Sequence, residues 1–267
     1  MMTEHKWLPT IDVVVAIGDV ELRLPYLRHA MHSIDGQRYE KNLYEVTVVC
    51  ITHTDRDEDY GAIAELCAKR GAALIFRPQR DEAFSLAQAY NIGARRGSRF
   101  AIAFLNCDIY FHPDTFAHAA RVLSRGAGAV VPVARGQNNP HISAFDEEFR
   151  ARVDTEWYTR WTNRLSYARS GTGNVIYPRS FIEECHGFDE RFYGWGGEDT
   201  DLFERAKKKI GMEHLFDGGC PKSVHIAHAD DPTKMGELTE RNRKMISKSN
   251  SLVRNEAGWG EIPEMEQ

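Results

Sequence analysis

The chain has 267 residues, 42% hydrophobic and 27% charged, enough to bury a full core in one large α/β domain or two small ones. A formal net charge of −5 leaves no basic footprint and argues against nonspecific nucleic-acid binding. Cys50, Cys67, Cys107, Cys185 and Cys220 are scattered without zinc-ribbon spacing, which suits reduced thiols in a cytosolic protein, residues 1–9 read as no signal peptide, and no apolar run approaches the ~20 residues of a membrane span.

Taken in order, residues 11–17 form a continuous β-branched run, the pattern of a buried strand ended by Gly18. Leu22, Leu24, Leu27, Ala30, Met31 and Ile34 then keep one face of a helix. Residues 46–51 read as a second strand and residues 72–76 as a third, separated by a helix through Ile63 and Leu66 that stops at Gly71. A helix over 84–94, a strand over 100–105, a helix over 113–124 and a strand over 129–133 continue the alternation. Such alternation implies βαβ units, a parallel sheet and helices on both faces. The pattern loosens over 136–170, where Asn138, Asn139, Pro140, Trp157, Tyr158, Trp161 and Tyr167 suggest a helical insertion, a lid or an acceptor wall. Strands over 174–177, 212–216 and 223–227, a short helix over 181–185 and a charged helix over 235–251 complete the domain, and the acidic end from Asn255 reads as loose.

The stretch Gly194-Trp195-Gly196-Gly197-Glu198-Asp199-Thr200-Asp201 dominates the second half. Leu202, Phe203 and Ala206 follow at helical spacing, so a tight glycine loop delivers three acids into the first turn of a helix. Acids there also satisfy free amides and the helix dipole, and an indole can simply fill a core. The glycines, however, permit close approach, and a flat ring beside carboxylates suits a sugar.

Asp108 follows the 100–105 strand, where ligands of parallel sheets gather and where a metal-bound diphosphate would sit; a turn aspartate is the plainer alternative. His225 and His228 lie three apart, so on an extended strand they face opposite sides and share one metal only if the backbone bends. His228, next to Asp230-Asp231-Pro232, is better placed as a ligand. An Asp, a His and diphosphate oxygens suit Mn²⁺ or Mg²⁺ rather than structural zinc. The segment Ala87 to Gly93 combines small residues with Asn91 at a helix end. There is no P-loop, no dinucleotide glycine fingerprint and no nucleophile elbow.

Together these segments resemble the glycosyltransferase-A fold, more closely the family-two glycosyltransferases and the β-1,4-galactosyltransferase C-terminal region, over about residues 11–250. The likeness rests on Gly171-Thr172-Gly173-Asn174, Gly187-Phe188-Asp189-Glu190 and the Gly194 to Asp201 stretch in that order, with Asn91-Ile92-Gly93 before Asn106-Cys107-Asp108. It implies a Rossmann-like, mostly parallel central sheet flanked by helices with a smaller acceptor-side subregion. It also implies one catalytic domain over 8–254, with a nucleotide-sugar half over 8–135, an acceptor half over 136–254 and a tail over 255–267.

Residue by residue, the resemblance makes Asp108 the second acid of the Asp-x-Asp metal motif, with Asn106 where the first acid usually stands. His228 is similar to the late histidine completing the metal site, and His225 stands where the galactosyltransferases have a ligating methionine. Trp195 looks like the sugar platform, Glu198 like an acceptor-hydroxyl ligand and Asp199 like the base of the inverting enzymes. Gly173 and Gly197 fall in the substrate-binding motifs, and Asn91, Gly93 and Asn106 in the nucleotide-binding ones. The strand ends Ala16-Ile17-Gly18-Asp19 and Cys50-Ile51-Thr52-His53 depart from the usual nucleotide-reading residues.

The expected activity is metal-dependent, inverting hexosyl or N-acetylhexosaminyl transfer from a nucleotide sugar, a UDP-sugar first. The acceptor hydroxyl belongs to a glycan, a lipid-linked sugar or a small molecule, and the expected location is cytoplasmic, with peripheral membrane attachment left open. A sugar-binding domain without transfer and a sugar-phosphate nucleotidyltransferase are the alternatives. The acidic Gly18-Asp19-Val20-Glu21 speaks against the latter, which wants a basic glycine-rich loop.

Overall fold

The computed structural model describes residues 7–52, 57–79, 83–134, 140–153, 155–165, 173–194, 196–228, 236–246 and 251–261. Strand β1 (Ile11–Ile17) is buried along its whole length, as its β-branched run requires. Helix α1 (Val20–Asp35) follows, capped by Asp19, whose carboxylate accepts the Leu22 amide at 3.2 Å. Strand β2 (Tyr44–Thr52), helix α2 (Asp57–Arg70), strand β3 (Ala73–Pro78), helix α3 (Leu86–Arg96) and strand β4 (Ala101–Asn106) continue the alternation. Then come β5 (Ile109–Tyr110), α4 (Thr115–Leu123), β6 (Gly128–Val130), β7 (Val133–Ala134), α5 (Glu147–Arg152) and α6 (Glu156–Asn163). Strand β8 (Val175–Pro178), α7 (Arg179–Cys185), α8 (Glu198–Lys209), β9 (Met212–His214), β10 (Ser223–His225) and α9 (Glu237–Ile246) complete the described elements.

Seven strands form the main sheet in the order β3-β2-β1-β4-β8-β6-β9. Along β1, Ile11, Val13, Val15 and Ile17 enter one core with α1, α2 and α4, while Val14 and Ala16 enter the other with α3, α7 and α8. The expected sheet was mostly parallel, and β8 is the exception: it runs antiparallel to both β4 and β6. Its direction follows from the preceding insertion. Phe145, Phe149 and Tyr158 of that insertion cluster with Tyr110 and Val224 of a second sheet, β5-β10-β7, and with Ile226 just beyond it, so it supplies no crossover on the main sheet.

The expected strand over 129–133 divides accordingly. Its first part stays in the main sheet as β6, and after Pro132 the chain enters the second sheet as β7. Both sheets take strands from either side of residue 135.

The expected strand over 223–227 is shorter, with Ala227 bridging His141 instead. The last helix is described only over 237–246, and residue 251 is already outside it.

The expectation of a loose tail from 255 is corrected for 255–261. Arg254 is 4% exposed, the Asn255 amide donates to the carbonyls of His186 and Phe188, and Arg95 donates to the Trp259 carbonyl at 2.9 Å. Residues 262–267 lie outside the description. No helix among the described residues is long and apolar enough to cross a membrane.

Candidate active site

The carboxyl end of β4 and the start of β5 form the first corner. Strand β10 pairs antiparallel with β5, setting His225 opposite Ile109, and the Ile226 amide donates to the Asp108 carbonyl at 2.9 Å. This register places His225 Nε2 3.5 Å from Asp108 Oδ2. Beyond β10 the chain is redirected by the Ala227 bridge, where the Ala227 amide donates to the Pro140 carbonyl. That turn brings His228 Nε2 to 3.1 Å from the same oxygen. The bend required of two histidines three apart is therefore present, while Val224 and Ile226 stay in the core behind them.

The Asp108, His225 and His228 donor atoms lie within 4.8 Å of one another. Burial acts to raise the Asp108 carboxyl, but hydrogen bonding and attraction from the two imidazoles win and hold it far below the usual carboxylate range. Its other oxygen, Oδ1, is buried without a hydrogen-bond partner. A carboxylate with a spare buried oxygen beside two imidazole nitrogens is a donor set that fits Mn²⁺ or a similar borderline divalent cation. Helix α1 closes the corner, with Arg23 Nη1 3.8 Å from Asp108 Oδ2 and the Tyr26 ring edge-on to His228 at 5.7 Å. Arg23 and Tyr26 were not foreseen; the only signal was a polar ridge at i, i+3 on a helix otherwise read for its apolar face.

The second corner is the start of α8. Gly197 precedes it at φ 105, a backbone that disfavours any side chain, and an added Cβ would press on the Phe192 ring. Three acids follow with three different surroundings. Glu198 is 7% exposed with Oε2 unpartnered, and burial, with repulsion from Asp199, pushes its carboxyl up to about 8. Asp199 is only half-buried, and its Oδ1 accepts the Thr200 amide at 2.7 Å. Asp201 is buried and accepts from Arg205 Nε at 2.9 Å and from Arg254 Nη2 at 2.8 Å. Trp195, like Gly171 and Thr172, lies outside the described residues.

Gly173 joins the corners. A Cβ there would stand 3.1 Å from Asn106 Nδ2 and 3.6 Å from Asp199 Oδ2, so the end of β4 and the head of α8 meet across it. Asn106 is fixed on two sides: its amide donates to Asn174 Oδ1, and its side-chain oxygen accepts the Tyr90 hydroxyl, both at 2.9 Å. Tyr90 is 2% exposed. Its hydroxyl is held well above the usual range by burial and then by Cys107, Asp108, Glu198 and Asp199, so it remains a donor. Its role was missed because a tyrosine on a helix face reads as core.

Asn91 and Gly93, expected at the nucleotide, are occupied elsewhere. Asn91 is fully buried and exchanges hydrogen bonds with both backbone groups of Phe188 while also donating to Glu190 Oε1. Its amide is saturated by the Gly187-Phe188-Asp189-Glu190 loop. Gly93 lets α3 close on Val14 and Val49, where a Cβ would overlap the Val14 side chain.

Solved structures share this architecture. S. aureus TarS residues 1–349 in complex with UDP-GlcNAc superposes with TM-score 0.58 at 15% identity, covering 89% of this chain and 65% of that one. GalNAc-T7 with UDP, GalNAc and Mn²⁺ superposes with TM-score 0.61 at 15% identity, covering 90% of this chain and 48% of that one. The chain has the glycosyltransferase-A fold. Within that fold, residues 156–229 match the family described as the N-terminal domain of galactosyltransferase, a span that holds Glu198, Asp199, His225 and His228. Human chondroitin sulfate N-acetylgalactosaminyltransferase 1 is 28% identical over 185 residues, covering 67% of this chain and 33% of that protein. The chain thus spans a third of that relative, and 46% of its mouse counterpart.

Proposed function

We propose that this chain transfers a sugar from a nucleotide-sugar donor, a UDP-sugar first, to an acceptor hydroxyl with inversion at the anomeric carbon. The observation that carries this reading is the meeting, across Gly173, of a metal-competent corner and an acid-bearing helix start. Relatives named as glycosyltransferases, and fold neighbours solved with UDP-GlcNAc or with UDP, GalNAc and Mn²⁺, support it.

Asp108, His225 and His228 would hold a divalent cation, Mn²⁺ or Mg²⁺, supplying positive charge for the departing diphosphate. Asp199, accessible and beside Asn106, takes the proton of the acceptor hydroxyl as its oxygen attacks the anomeric carbon. One displacement from the face opposite the leaving group inverts that carbon. Glu198 keeps its proton near neutral pH and so donates a hydrogen bond rather than acting as the base. Trp195 offers a platform for a sugar ring. The reading includes a cytoplasmic role in glycan biosynthesis and a glycan, lipid-linked or small-molecule acceptor.

The test is calorimetric titration of UDP and of GDP into the protein, each with Mn²⁺ and with chelator. One nucleotide is expected to bind only with metal, and Asp108→Ala to lose that binding. Nucleotide binding of equal strength with and without metal would remove the metal from the reading. Failure of both nucleotides to bind would leave a sugar-binding domain of the same fold.

A further inference from the structure

The side-chain amide of Asn106 is engaged on one side only. Its oxygen accepts the Tyr90 hydroxyl at 2.9 Å, while Nδ2 meets no hydrogen-bond partner among the described residues. Tyr90 dictates that orientation. It is 2% exposed, and its ring lies against Phe104 and Phe188, with centroids 5.1 and 5.3 Å away, so the hydroxyl cannot swing aside. Among the described residues the hydroxyl hydrogen has no other acceptor. An amide turned the other way would leave that hydrogen buried and unpaired. The Asn106 backbone is held too: it pairs with Ala16 in the sheet, and its amide donates to Asn174 Oδ1 at 2.9 Å.

Nδ2 is thereby turned to the opening above Gly173. A Cβ on that glycine would have Asn106 Nδ2 and Asp199 Oδ2 as its nearest polar neighbours, so the missing side chain leaves space between a fixed N–H donor and a carboxylate oxygen. The other oxygen of Asp199 accepts from the amide and the hydroxyl of Thr200, at 2.7 and 3.3 Å. A donor and an acceptor facing one opening suit a hydroxyl, which accepts from the first and donates to the second. An acid in place of Asn106 would set a second carboxylate beside Asp199 and offer no hydrogen.

We propose that Asn106 Nδ2 donates a hydrogen bond to the attacking acceptor oxygen while Asp199 takes its proton, and that Tyr90 is the positioning residue that keeps the amide turned that way. This rests on the transfer reading above and adds a donor to it. The O–H bond breaks toward Asp199, the oxygen bonds to the anomeric carbon, and the bond from that carbon to the diphosphate oxygen breaks. One lone pair of the acceptor oxygen attacks, and Nδ2 binds the other, holding the negative charge that gathers there. Asn106 thus leaves the nucleotide-binding set in which its place before Asp108 put it.

The experiment compares the wild type with Tyr90→Phe, Asn106→Ala, the double variant and Asn106→Asp. Turnover is read as UDP released from UDP-GlcNAc or UDP-GalNAc with Mn²⁺, water standing in for the acceptor. Asn106→Ala should lower it about 10²-fold, and Tyr90→Phe about tenfold. Once Asn106 is alanine, Tyr90→Phe should change it by less than about twofold, a pattern that a packing role for Tyr90 would not give. Asn106→Asp should be as slow as Asn106→Ala. All five proteins should bind UDP with Mn²⁺ alike by calorimetry, unlike Asp108→Ala. In chelator, without nucleotide, the Asn106 side-chain amide resonances, identified by their absence in Asn106→Ala, should move in Tyr90→Phe while those of Asn174 stay. Wild-type turnover in Asn106→Asp, equal losses from Tyr90→Phe in both backgrounds, Asn106 resonances unmoved in Tyr90→Phe, or loss of UDP binding in Asn106→Ala would each overturn the proposal. Each leaves the transfer reading standing, because metal-dependent UDP binding by the wild type tests that separately; its absence would remove the reading and this role together.

Discussion

Glu198 and Asp199 are chain neighbours with opposite assignments, and burial separates them. Glu198 is closed in at the head of α8, and its carboxyl lies near 8 in the folded protein against an ordinary 4.5. The native state therefore holds a proton that the unfolded chain has released over that interval. Stability from this group is complete below about 4.5 and falls as pH rises to about 8, by on the order of a few kcal/mol. Glu198→Gln should flatten that decline in denaturant unfolding measured between these pH values; an unchanged slope would show that Glu198 is ionised in the fold. Asp199→Asn should bind donor and metal as before but lose transfer by about 10²–10⁴-fold, read as kcat with saturating donor. Equal turnover would take the base role from Asp199.

At the scale of elements, the head of α8 is held from below. Asp201 shares the charges of Arg205 and Arg254, while Arg254 also lies 3.5 Å from Asp189. Removing one partner from a buried network leaves a desolvated charge behind, so Arg254→Met should cost about 3–5 kcal/mol in equilibrium unfolding. A loss below about 1 kcal/mol would mean that Arg205 suffices alone. Little of this bracing was legible in the sequence. The segment from Asn255 carries acids that read as a loose end, and nothing local says that Asn255 will bond to the carbonyls of His186 and Phe188. Asn91 was read as a site residue for a related reason: its position before the β4 strand was visible, but its partners in the 187–190 loop were not.

At the scale of the molecule, the alternation of strands and helices up to β4 was legible because each strand there is a continuous apolar run and each helix keeps an apolar face. The antiparallel β8 and the second sheet were not, since strands of two to four residues carry too little pattern to declare a direction or a partner. The corner of Asp108, His225 and His228 was foreseen by residue type, while its closure depends on one backbone bend at Ala227 that periodicity does not encode.

The strap over 251–261 has a consequence for how the chain is made. A ribosome adds residues from the N-terminus, so Asp108, the acids of α8 and both histidines all leave it before Arg254 does. Until then, among the described residues, Asp201 has Arg205 as its one hydrogen-bonded cation, and the loop that Asn255 ties down is held by Asn91 and by Arg205. The nascent protein can complete β1 through β10 while the head of α8 stays loosely seated. The head of α8 then settles only once segment 251–261 has emerged, when the strap crosses underneath.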